Sequence, residues 1–165
     1  MKRLATLGLT AIALAACQSA PAPRATSQTP SFYVSMAKAD AAVDAAMARD
    51  MISAYRGNKG LGPLTLDPAL QAAAQAEADA MASADKPSSA DAFKSRLAAS
   101  GVKAPGANLS AGYHTLAEAF SGWRESAQHN RVLLDPQASR IGIATAYTPN
   151  SKYKVYWALV VAADR

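Results

Sequence analysis

The sequence predicts an α+β domain in which helices pack on a small antiparallel sheet. Two observations carry that expectation. From Asp40 to Trp123 the large apolar residues recur at helical steps, whereas from Ile141 onward they alternate with a period of two. A third is the order of the two patterns. Helices precede strands and no internal repeat links them, which argues for layers of segregated helix and sheet rather than a βαβ succession.

The elements follow in chain order. Val43, Met47, Met51 and Tyr55 lie on one face of a helix expected over Asp40 to Tyr55, which Gly57, Gly60, Gly62 and Pro63 terminate. Asp67-Pro68 places a capping carboxylate before a proline at the first helical position. The stripe Leu70, Ala74, Ala78 and Met81 carries that second helix to about Ala84. Ser88-Ser89-Ala90-Asp91 fits a capping box, with Phe93 and Leu97 one turn apart before Gly101 closes the third helix. Thr115-x-x-Glu118 opens a fourth, whose buried face is Leu116, Phe120 and Trp123. Asn108 to Ala111 reads as a short strand. Ile141, Ile143, Thr145 and Tyr147, then a Pro149-Asn150-Ser151 turn, then Tyr153, Val155, Trp157, Leu159 and Val161 read as a β-hairpin covered on both faces.

The chain has 165 residues, half of them hydrophobic and 18% charged, enough for one domain plus a leader and a tether. Much of the apolar content is alanine, so the core must rest on Phe93, Phe120, Trp123, Trp157 and the tyrosines. The formal charge of +5 falls to +3 without Lys2 and Arg3. The remaining basic residues are dispersed, with no aromatic interleaving, which argues against nucleic acid as a partner. The single cysteine, Cys17, excludes an intrachain disulfide and cysteine catalysis within the domain.

Lys2 and Arg3 precede an apolar run, Leu4 to Ala15, too short to span a bilayer. The run ends in Leu14-Ala15-Ala16-Cys17, which resembles the lipobox of bacterial lipoproteins. That resemblance implies a signal peptide over 1–16, cleavage before Cys17, and acylation of Cys17 as the membrane anchor. Gln18, where an Asp would tend to retain a lipoprotein in the inner membrane of a double-membraned cell, leans toward the outer membrane. Residues 17–38 are then an acylated cysteine and a Pro/Ser/Thr/Ala/Gln spacer, with Phe32, Tyr33, Val34 and Met36 as a candidate arm. The domain is expected over 39–165.

Four local patterns resemble the CAP superfamily (cysteine-rich secretory proteins, antigen 5, pathogenesis-related proteins), in particular its bacterial SCP-like branch. They are Ile52-x-x-Tyr55-Arg56 with Gly60-Leu61-Gly62-Pro63-Leu64 and Asp67-Pro68-x-Leu70; Asn108-Leu109-Ser110-Ala111-Gly112; Trp123-Arg124-x-Ser126-x-x-His129; and Ile141-Gly142-Ile143-Ala144. Their order covers about residues 40 to 163. The resemblance implies a CAP-like α-β-α sandwich, with helices on both sides of a small antiparallel sheet.

Family members hold two histidines and one or two acids around a central cleft, and in many the histidines can bind zinc. This chain departs from that pattern. Ser89 stands where close relatives carry the first histidine, Ala107 where they carry the glutamate before Asn108, and only His129 remains. The cleft candidates are therefore His129, Asn108, Ser126, Ser89, Ala107 and Glu125. Zinc requires three or four His, Cys or carboxylate donors, and a general acid or base requires a partner to orient it. Glu125 and Asp135 are the acids near His129 in sequence, while His114 lies beside a helix cap, away from the family's ligand positions.

No zinc or other cofactor and no catalytic residue is assigned on this basis. The reading is a lipid-anchored extracytoplasmic protein whose degenerate CAP site makes it a non-catalytic binding or envelope-interaction module, with a lipid or peptide ligand. Two alternatives stay open: a metal-assisted hydrolase or peptidase of the envelope, and a structural lipoprotein with a filled cleft.

Overall fold

A computed structural model describes residues 29–164. The expected signal peptide over 1–16, Cys17 and most of the expected tether lie outside the described residues. Five helices and four strands make up the domain: α1 (Ala45–Gly57), β1 (Thr65–Leu66), α2 (Pro68–Ala84), α3 (Ala90–Ala99), β2 (Gly106–Ala111), α4 (Leu116–Glu125), α5 (Ala127–Leu133), β3 (Arg140–Tyr147) and β4 (Val155–Ala162). The sheet order is β1-β3-β4-β2. The expected hairpin is β3 with β4, antiparallel with Ile143 opposite Leu159, and β2 adds antiparallel on the far edge of β4 with Asn108 opposite Leu159. The sheet departs from the antiparallel expectation at β1, two residues long and parallel to β3, too short to show a period in sequence.

The alternation divides the core into two layers. On one face Ile141, Ile143, Trp157, Leu159 and Val161 meet Ala48 and Ile52 of α1, Leu116, Ala119 and Trp123 of α4, and Leu133 of α5. On the other, Ala144, Tyr156, Ala158 and Val160 meet Leu70, Ala74, Ala78 and Met81 of α2 and Phe93 and Leu97 of α3. Every residue of β4 is buried, as expected for a central strand covered on both faces. Burying each large aliphatic side chain contributes about 1.5–3 kcal/mol. The alanine stripe of α2 serves closeness. A Cβ on Gly142 would stand only 2.3–2.4 Å from main-chain atoms of Leu70 and Gln71, so helix and strand meet backbone to backbone. Trp123 and Trp157 pack edge to face at 6.1 Å, a favoured aromatic geometry.

Helix starts are set by side-chain acceptors, and two expectations change accordingly. The first helix begins at Ala45, where the Asp44 carboxylate accepts from Met47 N–H at 2.9 Å. Asp40, expected to open it, has φ of +60° and stands outside it. The third is capped by Ser89 rather than Ser88, its hydroxyl accepting from Ala92 N–H. The helix opened by Thr115 ends at Glu125, where Ser126 takes an extended conformation and caps α5. Residues 31–33 form a 3-10 turn, Phe32 and Val34 pack on the core and Met36 is buried, while Tyr33 is exposed. The N-terminal arm therefore packs on the domain before residue 39.

Arg56 holds the loops below the sheet. It is 1% exposed, and its guanidinium donates at 2.9 Å to the carbonyls of Gly62, Leu133, Asp135 and Ala138. At the start of α2, Asp67 accepts from Ala69 and Leu70 N–H and pairs with Arg140 at 2.7 Å.

Candidate functional site

The candidate cleft residues are distributed by the pleat of β2. Successive side chains of a strand point to opposite faces, so Asn108 and Ser110 face α4 and α5, while Ala107 and Leu109 face α2 and α3. Asn108 is fully buried and its Nδ2 donates to the His129 carbonyl at 3.0 Å. Ser110 Oγ accepts from Trp123 Nε1 at 3.1 Å. Both side chains tie β2 to the α4–α5 corner.

At that corner Ser126 has its own N–H on the Gly122 carbonyl, and its hydroxyl accepts from His129 N–H at 3.4 Å. Glu125 is exposed and accepts from Ser121 Oγ. Ser89 is exposed at the start of α3. Of the six candidates, the structure joins Asn108, Ser126 and His129 through main-chain bonds of His129, and leaves Ser89, Ala107 and Glu125 apart from them.

The His129 ring is half-buried. Burial pulls its pKa below the ordinary histidine value, because a low-dielectric site disfavours the imidazolium. Its Nδ1 and the Asn108 Oδ1 are both buried without a hydrogen-bonding partner. His114 is exposed, its N–H donating to Glu118 Oε2 and its carbonyl accepting from Met36 N–H.

Sequence reasoning missed one buried acid. Glu77 is 5% exposed between α2 and α3. Its Oε2 pairs with Arg96 Nη2 at 2.5 Å, Arg96 lies over the Phe93 ring, and its Oε1 has no partner. The signal was present: Glu77 is the one charged residue two turns on from Leu70, within the apolar stripe of α2. A second missed cluster joins Tyr156, whose hydroxyl donates to Asp85 Oδ1 at 2.5 Å and meets Ser151 Oγ at 2.9 Å. Hydrogen bonds from Ser151 and Tyr156 hold the Asp85 carboxyl below its ordinary pKa, and burial with the bond to Asp85 raises that of Tyr156.

Two cavities open on the described surface, and neither is lined by Ser89, Ala107, Asn108, Ser126 or His129. The larger, about 690 Å³, lies between residues 38–41, α2 and the end of β3.

Comparison with known proteins adds the lineage. The sequence profile of the cysteine-rich secretory protein family, CAP, matches residues 49–161. The chain belongs to the CAP family. Similar solved structures include an extracellular SCP-domain protein of Bacillus anthracis (19% identity, TM-score 0.60) and an outer surface protein of Borrelia burgdorferi (14%, 0.62). A cysteine-rich secretory protein of Staphylococcus aureus is similar too (18%, 0.57). This CAP chain is covered over 73%, 73% and 72% of its length, and spans 40%, 92% and 38% of theirs. The likeness establishes the shared α+β fold. No curated protein matches the sequence.

Zinc, which many CAP domains can hold, does not fit the donors of this one. Among the described residues no three His, Cys, Asp or Glu side chains converge, and a zinc site needs three or four such donors.

Proposed function

We propose that this CAP chain is a non-catalytic binding module of the cell envelope, anchored by acyl groups on Cys17, with a lipid or a peptide as ligand. The observation that carries the reading is the use made of the old cleft positions. Ser89 and Ser126 cap helices, Ala107 packs in the α2–α3 layer, and Asn108 holds the His129 main chain. None of these arrangements orients the imidazole of His129 as a general base or adds a second metal donor beside it. The extracytoplasmic place is supported by the leader and lipobox pattern, and by the extracellular and outer-surface descriptions of the similar proteins.

The test uses the purified full chain. Titration with Zn²⁺ is expected to give no stoichiometric uptake, and incubation with mixed peptides no cleavage. Metal-dependent turnover abolished by His129→Gln would overturn the reading and restore a hydrolase. The anchor is tested by Cys17→Ser, which should leave an uncleaved, unacylated precursor by mass spectrometry. An acylated variant would refute the lipobox.

A structural lipoprotein with a filled cleft is the second reading, favoured by the burial of Ala107 (5% exposed) and Asn108 (0%). Native mass spectrometry of gently purified protein separates the two. A retained lipid or peptide supports binding, and a bare protein that also takes up no added ligand supports the structural role.

A further inference from the structure

We infer that the outer edge of β3 at Thr145–Tyr147 is a docking site for an extended peptide strand carrying Lys or Arg. The inference rests on the binding-module reading above and gives it a place and a ligand class.

The argument begins with the hydrogen bonds of β3. Its even residues turn toward β4, continued by Thr148 N–H on the Lys154 carbonyl. Its odd residues turn outward. The outward groups are satisfied one after another along the strand. Asp67 N–H donates to the Ile141 carbonyl at 3.0 Å where β1 ends. Beyond it the Gln71 side-chain amide takes the place of a strand, accepting from Ile143 N–H at 3.1 Å and donating to Ile143 C=O at 2.7 Å. Gln75 Nε2 reaches the Thr145 carbonyl at 3.3 Å.

There the cover stops. The Thr145 N–H and both main-chain groups of Tyr147 point outward with no hydrogen-bonding partner among the described residues. Unpaired edge groups are a template for strand addition. The two amides stand about 7 Å apart, the two-residue repeat of any extended chain.

The surroundings select the occupant. This edge lies in the 690 Å³ groove, with Lys38 to Ala41 as one wall and Asp79, Ala82 and Ser83 of α2 as the other. A second copy docking through the same edge would have to bring its own arm and α2 against these walls, whereas a single extended peptide has no such bulk. Thr145 lines the groove too, 7% exposed and with its hydroxyl unpartnered. The charged lining residues are Asp40 and Asp79 against Lys38, a net negative groove that complements a basic side chain. Alternate side chains of an added strand point to the two walls, so Lys or Arg at one position comes beside Asp79 or Asp40.

The experiment titrates the isotopically labelled full chain in detergent micelles with acetyl-Thr-Lys-Val-Lys-Thr-amide, reading backbone amide shifts and hydrogen exchange. At about 1 mM peptide the Thr145 and Tyr147 amides are expected to shift and to exchange more slowly. Asp40→Asn and Asp79→Asn should each weaken binding on the order of two- to fivefold, and N-methylation of alternate peptide amides should abolish it. Unmoved amides, an N-methylated peptide that binds as well, or equal binding of the Glu-for-Lys peptide would overturn the inference. Mass spectrometry of the recovered peptide keeps the two readings apart. Cleaved peptide overturns the non-catalytic reading, while intact peptide with no binding overturns only the edge site.

Discussion

Arg56→Met withdraws the donors from four carbonyls at once, Gly62, Leu133, Asp135 and Ala138. Two of those bonds, to Leu133 and Ala138, are fully buried. Leaving a buried acceptor unpaired costs about 1–3 kcal/mol, so the two together cost roughly 2–6 kcal/mol. Methionine fills much of the arginine stem's volume, and removing the cation returns part of its desolvation penalty. That penalty is real here, since burial holds the guanidinium pKa below its ordinary value against the favourable charge of Asp135. The expected net loss is about 2–4 kcal/mol, a large share of the ~5–15 kcal/mol that holds a typical domain. Urea unfolding followed by fluorescence of the buried Trp123 and Trp157 reads it directly, as a fall of about 1–2 M in the midpoint. Arg56→Lys keeps the charge but cannot reach four acceptors with one ammonium, and should fall between parent and Met variant. An Arg56→Met protein within ~0.5 kcal/mol of the parent, the range of an ordinary surface change, would refute the view that this side chain holds the loops.

Gly142→Ala sets a Cβ against the main chain of α2, which cannot yield as a side chain tip would; a loss of about 3 kcal/mol should appear in thermal melts, while Gly57→Ala, with open space around it, should not destabilise by steric conflict. The His129 pKa is lowered by burial, so the folded state binds fewer protons than the unfolded one just below the ordinary histidine value. Its contribution is intact above about pH 6.5 and is lost as pH falls below it; His129→Gln should flatten that part of the stability profile, measured by urea midpoints from about pH 7.5 to 5. Asp67→Asn keeps an acceptor for the Ala69 and Leu70 amides but loses the charge facing Arg140, and calorimetry should place it above Asp67→Ala by about 1 kcal/mol.

The parts of the fold that were legible in sequence are those decided by local chemistry. Asp67-Pro68 and Thr115-x-x-Glu118 each supply the acceptor that a helix start requires, and the alternation from Ile141 to Val161 specifies a strand pair that must be covered twice. What was not legible depends on partners distant in sequence. β1 exists because Thr65 N–H finds the Ser139 carbonyl, and two residues carry no period. Asp40 and Asp44 are alike as capping residues, and only the packed arm decides between them. Ser126, by contrast, reads in sequence as a cap or turn residue for the His129 segment, and it caps α5. At the candidate cleft, Ser89 and Ala107 were visible as departures from the family's pattern, but the placing of Ala107 in the α2–α3 layer and of Asn108 against α5 needed the structure. The bare edge of β3 had no local mark, since Gln71 and Gln75 read simply as polar positions on an exposed helix side.

The position of β4 in the sheet has a consequence for how the chain comes to be folded. β2 and β3 do not pair with each other; each pairs with β4 and so depends on residues 155–162. A nascent chain that has emerged only as far as the Pro149 turn holds its helices without the strand that both layers grip. Closure of the core is thereby deferred until nearly the whole domain has been synthesised.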